Sequence, residues 1–259
     1  MNIVVCLKQV PDTTEVRIDP VKGTLIREGV PSIINPDDKN ALEEALVLKE
    51  QLDAKITVIS MGPPQAQKAL REALAMGADE AILLSDRAFG GADTLATSRA
   101  LAAAIKNLDY DIVFAGRQAI DGDTAQVGPE IAEHLNLPQV TYVEKVERDG
   151  EELKVRRALE DGYETIKVKM PVLLTAIKEL NEPRYMSIKN IFGVFDKEVK
   201  VWSSDDIDID KSLLGLKGSP TKVKRSMTKE TKGAGEVIDK PAKEAVAYAI
   251  GKLKEKHYI

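Results

Sequence analysis

Apolar and polar positions follow two different periods along the first 135 residues. Short apolar runs, typical of buried strands, alternate with longer stretches in which apolar side chains recur every three or four residues, as on one face of a helix. Strands that alternate with helices in this way favour βαβ units and a parallel sheet. The predicted strands are residues 3–7, 56–60, 80–84 and 112–115, and the predicted helices are 41–52, 65–76, 95–105 and 124–135.

The pattern changes after Pro138. Three segments, 140–146, 153–158 and 163–168, alternate apolar and polar residues around intervening glycines, which is typical of an antiparallel meander. An apolar strand is then predicted at 172–176. We therefore predict an α/β domain over residues 1–200, built on a doubly wound and mainly parallel sheet with an antiparallel addition. An extended C-terminal arm should occupy residues 201–259.

Charge is distributed unevenly along the 259 residues, whose net charge is −5. Residues 211–233 carry seven basic side chains against one acidic side chain, whereas residues 1–210 sum to −12. Within the basic stretch, residues 213–220 show no regular period, and residues 240–256 then read as a helix with one apolar face. Two interpretations stay open for this region: a solvated tail, or an arm that wraps around a partner.

Composition narrows the possible chemistry. Cys6 is the single cysteine, which excludes an internal disulfide and a zinc or iron–sulfur site built on cysteines. With only His134 and His257 as histidines, we predict no metal site and no catalytic triad, so that any reaction would depend on a bound cofactor. A mildly acidic chain without a signal peptide or a long apolar run is expected to be cytoplasmic and to bind neither nucleic acid nor a membrane.

Two glycine-bearing loops are the best candidates for a ligand site. Ligands of an open parallel sheet bind beyond the carboxyl ends of its strands. Residues 85–94 and 116–124 follow predicted strands and open predicted helices, where unpaired backbone N–H groups can hold a phosphate. Asp93 and Asp123 are natural helix N-caps, which is the purely structural explanation for both loops. We expect the two loops to lie at adjacent strand ends, although neither contains a Rossmann fingerprint or a P-loop motif.

Five segments, in their order and spacing, resemble the β subunit of the electron transfer flavoproteins, and the resemblance covers essentially the whole chain. They are VCLKQVPD at 5–12, INPDD at 34–38, ALAMGAD at 73–79, GRQAIDGD at 116–123 and LNEPRY at 180–185. The family implies a heterodimer with an α subunit that carries an FAD and is embraced by the arm at 201–259. Residues 1–200 would then be the nucleotide-binding domain, with a partner recognition loop at 184–193.

The family has two classes, which differ in the nucleotide of the β subunit. Simple members hold a structural AMP there. Electron-bifurcating members hold a second FAD, which takes a hydride from NADH, and they send one electron to ferredoxin or flavodoxin and the other through the α-subunit FAD to a dehydrogenase, usually an acyl-CoA dehydrogenase. Residues 85–98 and Gly122 resemble the bifurcating class. We therefore expect FAD and NADH, with AMP as the alternative and with NADH oxidation only in the complex.

The resemblance also implies roles for individual positions. Residues 116–127 would wrap the ribose and phosphates, Arg87 would stabilise the reduced flavin ring, and Ile188 would be the apolar anchor for the dehydrogenase. No residue is assigned a catalytic or metal-binding role. The expected cofactor-binding residues are Cys6, Asn35, Pro36, Asp37, Asp38, Met61, Arg87, Phe89, Gly90, Gly91, Ala92, Asp93, Thr94, Gly116, Arg117, Gln118, Ala119, Ile120, Asp121, Gly122, Asp123, Thr124, Ala125, Gln126 and Val127, and the expected partner-binding residues are Arg184, Tyr185, Met186, Ser187, Ile188, Lys189, Asn190 and Ile191.

Overall fold

The computed structural model describes residues 1–12, 31–224 and 235–259. These residues belong to two compact units, one formed by residues 1–12 and 31–224 and the other containing residues 235–259. The strands are β1 Asn2–Cys6, β2 Gln9–Pro11, β3 Ser32–Ile34, β4 Lys55–Met61, β5 Glu80–Leu84, β6 Ile112–Gly116, β7 Gln139–Asp149, β8 Glu152–Ala158, β9 Tyr163–Lys169, β10 Val172–Ala176 and β11 Val199–Trp202. The helices are α1 Pro36–Leu52, α2 Gln67–Met76, α3 Thr94–Ile105, α4 Val127–Leu135, α5 Ile188–Gly193, α6 Gly215–Gly218 and α7 Ala242–Glu255.

Nine strands form one sheet in the order β11-β5-β4-β1-β6-β10-β7-β8-β9, and β2 pairs with β3 in a separate antiparallel ribbon. The pairs from β11 to β7 are parallel, and β7, β8 and β9 are antiparallel. From β1 the chain first adds β4 and β5 on one side, and then β6 and β10 on the other. The order in which strands are added therefore reverses between β1 and β6. Sheets of this kind bind their ligands at this point of reversal.

The core lies on both faces of this sheet, because successive side chains of a strand point to opposite faces. Val5, Val58 and Phe114 pack in the cluster that contains the buried residues of α1 and α2. Val4 and Ile59 pack in the cluster that contains those of α3 and α4. The predicted doubly wound sheet with an antiparallel addition is thus confirmed, and with it the predicted strands.

Two helix starts were predicted wrongly. Helix α1 begins at Pro36 and not at residue 41, because proline suits the first helical position and the acidic Asp37 and Asp38 favour the first turn. Helix α4 begins at Val127 and not at residue 124, because the φ angle of Ala125 is 52°, in the left-handed region. Asp123 is therefore not the N-cap of α4; its own φ is 49°.

The first compact unit continues past the boundary predicted at residue 200. Strand β11 pairs with β5 and extends the sheet. Leu214 is buried at 2% exposure, and α6 forms inside the segment that showed no regular period. In the second unit, the described residues contain α7, the helix predicted at 240–256, on which Val246, Ile250 and Leu253 are exposed. Within the described ranges, no helix has the length and apolar character needed to cross a membrane.

Candidate nucleotide site

The amino end of α1 fits between the carboxyl ends of β1 and β6. The Asp38 carboxylate accepts a hydrogen bond from the backbone N–H of Lys8 at 2.7 Å and another from that of Gly116 at 3.0 Å. Beside it, the Asn35 side chain donates to the carbonyl of Gln118 at 2.8 Å and accepts from the N–H of Ile120 at 3.0 Å. These four bonds hold the end of β1, the start of α1 and the loop after β6 as one frame.

Gly116 is required at this junction. A Cβ atom on it would lie 2.3 Å from Oδ1 of Asp38 and 2.7 Å from the Asp38 backbone nitrogen. Oδ1 is held by its hydrogen bond to the Gly116 N–H, and the backbone nitrogen belongs to the first turn of α1. Only glycine therefore lets the carboxylate reach the end of β6.

Burial governs the titration of Asp38, which is only 7% exposed. Loss of hydration raises the pKa of Asp38 to about 7, although the hydrogen bonds from Lys8, Asn35 and Gly116 act in the opposite direction. Burial, with the charge of Asp38 beside it, raises the pKa of the Cys6 thiol to about 12. Cys6 is thus a protonated, buried side chain at the end of β1, not a reactive thiolate.

The loop between β6 and α4 presents its backbone to solvent. Two of its residues, Asp123 and Ala125, have left-handed φ angles, which are strained for residues with a Cβ. Among the described residues, the backbone N–H groups of 124–127 have no hydrogen-bond partner. A row of unpaired N–H groups leading into a helix N-terminus is a site for an anion such as a phosphate.

The acidic side chains of this loop point to other partners. Asp121 pairs with the ammonium group of Lys8 at 2.6 Å. Asp123 accepts a hydrogen bond from the side-chain amide of Gln118 at 2.8 Å. Both carboxylates are thereby held by groups other than the row of N–H groups, which lowers their repulsion of a bound phosphate.

The second candidate loop lies at the end of β5. The prediction that it would sit at a strand end adjacent to that of β6 is wrong, because β4 and β1 lie between the two strands. The loops nevertheless meet through their helices. Oγ1 of Thr94 lies 3.1 Å from Oε1 of Gln126 and 3.2 Å from Oε1 of Glu130, and its single proton serves one of them at a time. Asp93 caps α3 as predicted, accepting from the N–H of Ala96 at 3.0 Å.

Residues 203–221 bind this second loop from the side, and their part was not predicted. Asp86 accepts hydrogen bonds from the backbone N–H and the hydroxyl of Ser204, at 3.0 and 2.6 Å. Asp93 accepts from the N–H and hydroxyl of Thr221, at 3.0 and 2.8 Å, while its own N–H donates to Ser219 at 2.9 Å. Hydrogen bonds from Ala88 and Ser204 lower the pKa of Asp86 to about 2. Both carboxylates are thus occupied in holding the loop.

Glycine makes the contact between these segments possible. Gly215 has a φ of 54°, and a Cβ on it would lie 2.2 Å from the carbonyl oxygen of Ala88. No local sequence signal could have paired Ser204, Ser219 and Thr221 with aspartates more than 100 residues earlier.

The remaining predicted cofactor residues lie in different environments. Arg87 is exposed on the β5 loop, as are Gly90 and Gly91, whereas Phe89 is buried in the core beneath them. Met61 is half-buried at the end of β4. Pro36, Asp37, Ala92, Arg117 and Ala119 complete the predicted set; Nε of Arg117 lies 3.4 Å from Oδ2 of Asp37.

The predicted recognition loop is a second candidate region, separate from the loops after β5 and β6. Arg184 turns inward and pairs with Glu43 of α1, whereas the residues that follow are exposed. Tyr185 is 97% exposed and Ile188 is 76% exposed. Phe192, inside the predicted loop, is 74% exposed, and Phe195, at 77%, extends this apolar surface beyond it. We call the surface formed by residues 185–195 the docking segment.

The strand order reverses beside a loop that begins at Gly116 and carries unpaired N–H groups. This arrangement is typical of the α/β nucleotide-binding proteins. Residues 22–207 match the sequence model of the electron transfer flavoprotein domain. The chain therefore belongs to the electron transfer flavoprotein family, and its likeness to the β subunits spans its whole length. β subunits of this family normally pair with an α subunit, and the family as a whole associates with flavin or adenine nucleotides.

Three relatives show this likeness. The chain is 80% identical over 259 residues to the electron transfer flavoprotein subunit beta of Clostridium acetobutylicum, covering 100% of both chains. It is 57% identical over 262 residues to subunit CarD of the caffeyl-CoA reductase-Etf complex of Acetobacterium woodii, again over 100% of both. It is 47% identical over 268 residues to the acryloyl-CoA reductase electron transfer subunit gamma of Anaerotignum propionicum, also over 100% of both.

The bridge made by Asp38 leads to a prediction about pH. Because its pKa in the folded protein lies above the ordinary carboxyl value, the folded protein holds the proton between about pH 4 and 7. The contribution of this group to stability therefore falls as the pH rises through that interval, by roughly 4 kcal/mol at most. Asp38→Asn should remove the contribution of this group and make the fall of stability with pH shallower, which denaturant unfolding of the purified chain between pH 5 and 8 would measure.

Asp161→Asn, in the exposed turn between β8 and β9, is the matched control and should keep the slope of the unmodified chain. An Asp38→Asn variant with an unchanged slope would contradict the assignment of the buried carboxylate.

Proposed function

We propose that the chain is the β subunit of an electron-bifurcating flavoprotein. In this proposal it binds an FAD across the two loops, accepts a hydride from NADH there, and delivers one electron to ferredoxin or flavodoxin. The other electron passes through the α-subunit FAD to an acyl-CoA dehydrogenase. The observation that carries the proposal is the contact of Thr94 with Gln126, which joins the loop after β5 to the loop after β6.

The joined loops favour a dinucleotide over a mononucleotide. The frame of Asn35 and Asp38 and the N–H groups of 124–127 are sufficient for a ribose and its phosphate, as AMP would need. AMP leaves the β5 loop without a role. A flavin attached through a second phosphate would give that loop a ligand to hold, and Arg87 is exposed there.

The residues at the cleft fit FAD. Gly122 has nothing within 4 Å of the position its Cβ would take, so a ligand can pass close to the backbone. The N–H groups of 124–127 suit the pyrophosphate, and the positive charge of Arg87 suits a ring that becomes negative on reduction. Bound FAD would supply the redox chemistry, and the residues of this chain would hold and orient it.

Partner binding is proposed for two regions. The docking segment exposes six large apolar side chains, which suit a pocket on another protein. Two of the relatives named above carry CoA-ester reductases in their names, which supports an acyl-CoA dehydrogenase as the partner. The basic residues of 211–233 and the exposed apolar side chains of α7 are proposed to engage the α subunit.

The flavin content of the purified αβ heterodimer tests the proposal. We expect two FAD per heterodimer, with rapid bleaching of the flavin absorbance when NADH is added, because the hydride enters at the β site. The measurements are the visible spectrum and the nucleotides released on denaturation. One FAD with one AMP, and no response to NADH, would show that the β site is structural.

Gly122 allows a sharper test of FAD against AMP. A Cβ atom at residue 122 would have no protein atom within 4 Å, and the position needs no left-handed φ, so Gly122→Leu should leave stability nearly unchanged. The leucine should obstruct a flavin nucleotide that runs along the backbone and raise the dissociation constant of FAD at the β site at least about tenfold, which corresponds to about 1.4 kcal/mol of binding and lowers the FAD content.

Gly162→Leu, in an exposed turn with equal free space, is the control and should keep both FAD molecules. Full FAD occupancy in Gly122→Leu would mean that the nucleotide does not follow the proposed path.

The docking segment yields a separate prediction. Ile188→Ala should raise the concentration of acyl-CoA dehydrogenase that half-saturates electron transfer by about five- to tenfold, since an exposed apolar anchor loses its pocket. Flavin content should stay the same. Leu159→Ala, an equally conservative change at an exposed leucine in the β8–β9 turn, should have no effect; loss of flavin in Ile188→Ala would count against the assignment.

A further inference from the structure

The docking segment is attached to α1 through polar groups that the proposed function does not use. Nε of Arg184 lies 2.9 Å from Oε2 and 3.0 Å from Oε1 of Glu43, and Nη2 of Arg184 lies 2.8 Å from Oε1. The backbone N–H of Arg184 also donates to Glu43, at 3.0 Å. Nη1 of Arg184 pairs with Glu50, about two turns further along the helix.

A second set of bonds lies one turn closer to the start of α1. The Asn40 side chain donates to the carbonyl oxygen of Asn181 at 2.7 Å. The Asn181 side chain in turn donates to the carbonyl of Asn40 and to the Glu44 carboxylate, both at 3.1 Å. The chain is therefore fixed at residue 181 and again at residue 184, immediately before the docking segment begins.

These groups are buried although they are polar. Asn40, Glu43 and Glu44 are 5%, 6% and 7% exposed. A buried carboxylate costs several kcal/mol of solvation unless it is paired and hydrogen-bonded, so Glu43 is stable in this place only with Arg184 against it. The planar guanidinium meets both carboxylate oxygens, and such a forked contact fixes direction as well as distance.

The direction of this contact matters for the residues that follow Arg184. The Arg184 side chain is paired within the chain, and the neighbouring Tyr185 is almost fully exposed. The contact thus lies one peptide bond before an almost fully exposed residue. A segment that is held at its base loses less conformational entropy when a partner binds.

We propose that Glu43 is a positioning residue for partner binding: its fork with Arg184 sets the direction in which the docking segment is presented to the dehydrogenase. Arg184 is then the internal member of the fork, not a residue that touches the partner. This inference rests on the proposed docking function and adds a residue of α1 to it.

The test measures electron transfer from the αβ heterodimer, reduced with dithionite, to a purified acyl-CoA dehydrogenase at varied concentration. Dithionite reduces the heterodimer whether the β site holds FAD or AMP, so the result does not depend on that choice. Glu43→Gln should raise the half-saturating dehydrogenase concentration about fivefold or more. The limiting rate and the flavin content should be unchanged, which separates positioning from damage to the fold.

Glu50→Gln is the matched control on the same helix. Glu50 also pairs with Arg184, but its side chain is 62% exposed, and exposed pairs contribute little. Its loss should change half-saturation less than twofold. Arg184→Lys keeps the charge and loses the fork, and should resemble Glu43→Gln; it also provides the test if Glu43→Gln does not fold.

The outcomes separate the two proposals. Unchanged half-saturation in both Glu43→Gln and Arg184→Lys, with a rise in Ile188→Ala, would overturn the positioning role and leave docking intact. No rise in any of these variants would overturn the docking proposal itself. A lower flavin content or limiting rate in Glu43→Gln would also overturn the inference, because the residue would then act on the nucleotide site or on the fold.

Discussion

The bridge made by one buried carboxylate is the constraint on which the nucleotide cleft depends. Asp38 joins the end of β1 to the end of β6. The order of strand addition reverses between these two strands. Hydrogen bonds in a buried, low-dielectric site are stronger than those exposed to water, and leaving the two backbone N–H groups unpaired would be costly. The absence of a side chain at Gly116 lets this bridge form, and the strained loop starts directly after it.

Around this bridge, single side chains connect features that lie far apart in the sequence. Thr94, at the start of α3, joins the loops that follow two strands that are not neighbours, and residues 203–221 hold the loop before α3. Helix α1 has two functions in this arrangement. Its amino end forms the cleft, and its buried Glu43 fixes the base of the docking segment. The candidate nucleotide site and the docking segment thus belong to one compact unit, residues 1–12 and 31–224.

The sequence was informative where local physics decides the structure. The apolar runs of the sheet strands and the cap at Asp93 follow from burial and from unpaired N–H groups, and these predictions were confirmed. It was uninformative where tertiary contacts decide. Periodicity does not report the spatial order of β5 and β6, and the left-handed φ of Ala125 delays α4 without a glycine to signal it. The fork of Arg184 with Glu43 joins residues 141 positions apart, so no spacing could predict it.

The central claim is that one ligand spans the loops after β6 and β5. An experimental structure of the αβ heterodimer, purified with its own nucleotides, tests it most directly. The account predicts FAD density with its phosphates on the N–H groups of 124–127 and its ring beside Arg87. Density for a mononucleotide that ends at the β6 loop, with the β5 loop free of ligand, would contradict it.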